Sequence, residues 1–122
     1  FMVERNRARD LAANLIEVAE LAGLPSRALI TDMNQPLAGS AGNALEVHEA
    51  IGFLRGDYRR PRVAEVVERL GAEMLTLGGL ADDLASARGK IDTVLESGLA
   101  AEHFARMVAM QGGPADLLES QQ

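Results

Sequence analysis

The run GLPSRALITDMNQPLAGSAGNALEVHEA, residues 23–50, decides how the fold is read. Gly23 offers the left-handed residue that ends a helix, and Pro25 prevents the helix from continuing. Ala28, Leu29 and Ile30 then form a short apolar run. With polar residues after it, that run predicts a strand over 27–31 buried on both faces, as in a parallel sheet. Upstream, Leu11, Leu15, Val18 and Ala22 recur at helical spacing and predict a helix over 5–22. Helix followed by strand is half of a βαβ unit. Residues 32–42 carry Asp, Asn, Pro, Ser and two glycines and read as a loop.

Everything downstream reads as helix. A second helix is expected over 43–54, with Ala44, Val47, Ile51 and Leu54 on one face and Gly56-Asp57 as its break. Pro61 or Arg62 opens a third, because proline is tolerated in a first turn. Its apolar stripe is Val63, Val66, Val67, Leu70 and Met74, and Gly78-Gly79 ends it. Asp82 or Asp83 caps a fourth, whose core face is Leu84, Ala87, Ile91 and Leu95. A fifth, over 99–110, turns Phe104 and Val108 inward. The expectation is a mostly α chain of about five helices with one short strand. Its parts are a helix–strand–loop–helix unit over 1–56, a helical part over 57–113 and a loose tail over 114–122. One strand cannot satisfy its own backbone groups. Either it is misread, or it pairs with another chain, or its sheet lies elsewhere and the chain is a fragment of a larger α/β domain. The chain also opens Phe1-Met2. Either Phe1 is a remnant of added sequence or the chain is cut from something longer.

Composition narrows the function. The chain has 122 residues, 48% of them hydrophobic and 3% aromatic, so Leu, Val, Ala, Ile and Met must build the core. The five methionines read as core filler. A net charge of -6 argues against a nucleic-acid or anionic-membrane partner, which would need clustered Lys and Arg. The one basic cluster, Arg59-Arg60-Pro61-Arg62, reads as a solvated loop. Without cysteine there is no disulfide and no thiolate metal site, which fits a reducing compartment, and the expected location is the cytoplasm. No apolar run approaches the ~20 residues of a membrane span.

Two features look chemical. The loop Leu37-Ala38-Gly39-Ser40-Ala41-Gly42 precedes a helix, whose N-terminus favours anions, but it lacks both the P-loop ending and the dinucleotide glycine spacing. It is either an anion site or a tight turn feeding a helix. Glu46 and Glu49 are three apart and share a helix face, with His48 beside them. They are either a carboxylate pair for acid–base or hard-cation chemistry, or a solvated face. His48 and His103 are far apart in the chain, and neither has a triad's partners.

The stretch Thr31-Asp32-Met33-Asn34-Gln35-Pro36-Leu37, with Gly42-Asn43-Ala44-Leu45-Glu46-Val47 and Glu49-Ala50, resembles a signature of the thymidine and pyrimidine-nucleoside phosphorylases. The resemblance continues through Phe53-Leu54-Arg55-Gly56-Asp57-Tyr58-Arg59, Pro61-Arg62, Gly71-Ala72-Glu73-Met74-Leu75, Ala85-Ser86-Ala87-Arg88 and Phe104-Ala105-Arg106-Met107-Val108-Ala109-Met110-Gln111. The part around Phe53 to Arg62 is similar to the bacterial thymidine branch. The resemblance implies a homodimer that cleaves thymidine with phosphate to thymine and 2-deoxyribose 1-phosphate. It also implies that the phosphate loop and the base-holding residues lie upstream, so that no catalytic residue falls in this chain, which alone would be inactive. It requires no cofactor, but it implies a monovalent cation or calcium in the intact enzyme, held by the backbone carbonyls of Leu37 and Ser40 and the side chain of Glu49. Phe1, with Met2, is similar to the end of a stretch that lines the thymine pocket, which makes it a candidate substrate contact. Self-association is expected around Leu29 and Ile30. The rival readings are a non-enzymatic helical interaction module, a broader pyrimidine-nucleoside phosphorylase, and the related anthranilate phosphoribosyltransferases.

Overall fold

Punctuation by glycine and proline sets the helices. The computed structural model describes residues 2–119, which form α1 (Arg5–Leu21), α2 (Asn43–Arg55), α3 (Pro61–Leu77), α4 (Leu84–Glu96) and α5 (Leu99–Met110). Pro61 is the first residue of α3, and it holds Arg60 before it in extended backbone (φ −63°, ψ 129°). Asp83 opens α4 with a capping box: its carboxylate accepts from the Ser86 N–H at 2.7 Å, and its own N–H donates to the Ser86 hydroxyl. α2 ends on Gly56 at φ 81°, which lets the Asp57 N–H reach back to the Gly52 carbonyl at 3.0 Å. The same closure follows Gly23, Gly79 and Gly112.

The core lies where α3 crosses α4. Ala72, Ala87, Ile91 and Leu95 meet there, joined by Phe53 from α2, with Leu54, Val63, Ala64 and Leu75 around them. Small residues at the crossing let the helices approach closely. The close helix pairs are α3–α4, α4–α5 and α2–α5. α2 is covered on several sides in its second half, where Glu49, Ile51, Gly52 and Phe53 are all buried.

The glycines inside helices predict opposite outcomes. Gly89, in α4, has nothing within 4 Å of where a Cβ would sit. Gly89→Ala is expected to raise stability by about 0.5–1 kcal/mol through helix propensity alone. A Cβ on Gly71, in α3, would lie 2.9 Å from Ile91 Cδ1 in the core. Gly71→Ala is expected to lose that gain and destabilise by about 1 kcal/mol or more. Urea midpoints of the two variants, read against the parent, check the sign of each.

Three expectations are corrected, in whole or in part. No strand forms among the described residues: 24–42 is irregular, and Leu29 and Ile30 are exposed rather than buried. An apolar run becomes a strand only beside another strand, and here the segment is tied to α3 by side chains instead. Arg27 Nη1 meets Glu73 Oε2 at 2.6 Å, and Arg62 Nη2 donates to the Asp32 carbonyl at 2.6 Å. α1 forms as its spacing predicts, and its apolar stripe is uncovered: α1 buries no residue, and Leu15 and Val18 are 61% and 66% exposed. The expected faces of α2 and α3 are buried only in part: Ile51 is buried and Leu54 and Val63 pack on the core, but Val47, Leu70 and Met74 are exposed, and Phe53 and Ala72 are buried instead. The tail over 115–119 forms turns, buries Leu117 and takes a 3.0 Å hydrogen bond from Arg55 Nη1 on the Leu118 carbonyl.

The uncovered stripe, and separately Leu29 and Ile30, leave apolar side chains exposed. The chain is expected to self-associate, with a light-scattering mass above 13.0 kDa that rises with concentration. Val18→Lys should shift it toward monomer. A strictly monomeric parent at high concentration would contradict the expectation.

Candidate functional site

The loop before α2 is organised around one carboxylate. Gly42, at φ 127°, turns the chain into α2, and this folds residues 37–41 back along the helix. Glu49, nearly two turns into α2, is 8% exposed and faces that loop. Its Oε1 accepts from the Gly39 N–H and from Arg60 Nε, both at 2.9 Å. Its Oε2 accepts from the Ser40 N–H at 3.0 Å, from the Ser40 hydroxyl at 2.7 Å and, at 3.0 Å, from the shared Gly39 N–H. Charge-assisted bonds of this kind are the strong ones, and they fully occupy the carboxylate. Arg60 also explains Gly39: a Cβ at position 39 would overlap the guanidinium.

These donors hold the Glu49 carboxyl below its ordinary value. The Gly39 N–H contributes most and the Ser40 hydroxyl next, then Arg60, together outweighing the desolvation that pushes the other way. Asp83 is lowered by its hydrogen bonds from Ser86. The sign follows from linkage. A carboxyl with a depressed folded pKa contributes its stability above its unfolded value and loses it as pH falls through the folded value. Thermal stability is therefore expected to be level down to about pH 4.5, the ordinary value for Glu49, and to fall below it. A calorimetric series from pH 7 to 2.5 checks this, and a midpoint that rises on acidification would contradict it.

The structure brings Ser40 and Glu49 together and leaves the other expected pairing apart in role. Glu46 is not a partner to Glu49. Its Oε1 accepts the Gly42 N–H at 2.9 Å and so closes the start of α2. The loop does receive an anion, as its position suggested, but that anion is the chain's own Glu49. His103 Nδ1 lies 3.1 Å from Arg106 Nη2 within α5, remote from the loop in sequence. Phe1 lies outside the described residues. Arg60 was not singled out from the sequence, where the basic cluster read as solvated. Each of its arginines has a partner instead: Arg59 sits over the Phe53 ring at 5.9 Å, Arg60 meets Glu49 and Arg62 meets Asp32. The available signal was that a carboxylate facing a loop needs a counter-charge, but spacing alone did not say which arginine supplies it.

Beside the loop, a groove of about 880 Å³ runs between residues 29–37 and the first turns of α3, with Arg62, Glu65 and Arg69 on its far wall. Arg69 is paired with Glu65 at 2.9 Å, and Arg62 reaches across to the Asp32 carbonyl at 2.6 Å. No helix among the described residues is long and apolar enough to cross a membrane.

Residues 3–101 match the glycosyl transferase family, a/b domain. The chain belongs to that family. The match runs from before α1 into the first turn of α5 and takes in the loop, Glu49 and Arg60. The family groups anthranilate phosphoribosyltransferase with thymidine phosphorylase, and membership indicates a transferase of glycosyl, specifically pentosyl or phosphoribosyl, groups.

The cation set expected from the phosphorylase resemblance can be tested against the donors present. A metal ion needs oxygen lone pairs facing it. Glu49 instead faces N–H and O–H donors and a guanidinium. A cation at Glu49 would have to break the Arg60 pair, so the arrangement as it stands does not fit one.

Proposed function

We propose that this glycosyl transferase family chain is part of a thymidine phosphorylase. In that reaction a phosphate oxygen attacks C1′ of thymidine while the bond from C1′ to the base nitrogen breaks. The bonding pair and a proton go to thymine, leaving 2-deoxyribose 1-phosphate. The transition state has oxocarbenium character, so catalysis rests on positioning and charge stabilisation. The chain's own contribution is scaffold: α2 and the 37–42 loop form a fixed edge beside the reacting groups. None of its side chains is assigned a catalytic role, and thymidine and phosphate are bound by the assembled enzyme, a homodimer.

One observation carries the reading. The stretch 31–50, which bears the phosphorylase resemblance, is also where five hydrogen bonds converge on a single carboxylate.

Thymidine phosphorolysis, assayed on the 122-residue chain and on the complete gene product, tests it. Activity in the complete product alone supports the reading. Activity in neither overturns it and favours a helical interaction module. Uridine cleaved as fast as thymidine would move the assignment to the broader pyrimidine-nucleoside branch.

A further inference from the structure

We propose that Arg60 is the resident counter-charge of the 37–42 loop, filling the place at Glu49 that a metal ion would need. The loop's order in this chain is then independent of potassium and calcium. The proposal stands on loop geometry and not on the thymidine reading, so a negative phosphorolysis assay leaves it intact.

Three observations converge. The first is the donor set. Arg60 Nε takes Glu49 Oε1 at 2.9 Å, while the amides of Gly39 and Ser40 and the Ser40 hydroxyl take the rest of the carboxylate. The loop presents its N–H groups to Glu49, which is how a chain holds an anion. A cation would need the opposite presentation, with loop carbonyls turned inward.

The second is delivery. Pro61 restricts the backbone of Arg60 to the extended region and starts α3 immediately after it. Arg60 therefore projects from a fixed point at the end of a helix rather than from a mobile loop. The third is space. The guanidinium lies over Gly39, where any Cβ would overlap it. The loop is shaped to admit this side chain. The guanidinium is part of the chain, so the counter-charge does not depend on ion supply.

The test uses the 122-residue chain at constant ionic strength. Tetramethylammonium chloride is exchanged for potassium chloride, and calcium chloride is added in a separate series. The thermal midpoint of the parent is expected to move by less than about 1 °C in either series, as for a ligand with no site. Arg60→Gln removes one of the two donors to Glu49 Oε1 and is expected to lose roughly 5 °C, a loss that neither cation restores because the loop still turns its N–H groups to Glu49. A parent midpoint that rises with either cation, with the rise abolished in Glu49→Gln, overturns the proposal. So does an Arg60→Gln chain that melts within about 1 °C of the parent, or one that regains its loss in either cation. Arg60→Lys keeps the charge and is expected to stay insensitive, and a cation response there also counts against it. Should the variants fail to fold, the Gly39 and Ser40 amide resonances of the parent decide. They stay unmoved by calcium if Arg60 holds the place, and shift if it does not.

Discussion

Replacing Glu49 with alanine unties the 37–42 loop and lowers the thermal midpoint by roughly 10 °C, the scale expected when a network of charge-assisted hydrogen bonds loses its shared acceptor. The deletion leaves the Gly39 and Ser40 amides, the Ser40 hydroxyl and Arg60 Nε without their common partner. Unsatisfied donors under partial burial are costly, so the loop opens to water rather than keeping its shape. Glu49→Gln is expected to do nearly as much damage. It keeps one acceptor oxygen but sets an NH₂ group against donors that have nothing to give it. Melting curves read the stability, and hydrogen exchange at Gly39 and Ser40 reads the loop. A midpoint within about 2 °C of the parent, with exchange unchanged, would show that the carboxylate does not organise the loop.

Ile51→Ala carries the second large effect. Ile51 is 1% exposed, the largest fully buried side chain among the described residues, and it sits two residues beyond Glu49 on α2. Truncation removes three carbons from a filled space and is expected to cost about 2–4 kcal/mol, against about 1 kcal/mol for Ile51→Val. Val47, one turn earlier, lies on the face that periodicity assigned to the core, yet it is 49% exposed. Val47→Ala should therefore change stability by less than about 0.5 kcal/mol. Urea unfolding with an unchanged m-value compares the three variants. Equal losses at positions 47 and 51 would mean that Val47 is packed as closely as Ile51, against the exposure described for it.

That contrast marks the limit of what the sequence makes legible. Helix bounds are local events. Gly23, Gly56, Gly79 and Gly112 each close a helix through backbone geometry, Pro61 and Asp83 each open one, and all six are readable within a few residues. The buried face is not local. α2 carries apolar residues on more than one side, and its surroundings bury Ile51 and Phe53 but leave Val47 exposed. The strand expected at 27–31 fails for a related reason. Ala28, Leu29 and Ile30 have the composition of a strand, but pairing belongs to a neighbour rather than to the segment. At the site, the loop and Glu49 could be found from residue types and spacing. Arg60 could not, because eleven residues separate it from Glu49 and a run of arginines reads as solvated charge wherever its targets are unknown.

The pairing of helices also sets an order of assembly. α3, α4 and α5 are consecutive and each touches the next, so their contacts close over short stretches of chain and form early and fast. α2 must be brought to α5 across the intervening helices, a closure that costs more chain entropy and comes later. The Glu49 latch depends on α2, on the loop before it and on the start of α3, so it is fastened onto a frame already standing. Damage to the latch should then hasten unfolding while leaving the rate of folding almost unchanged.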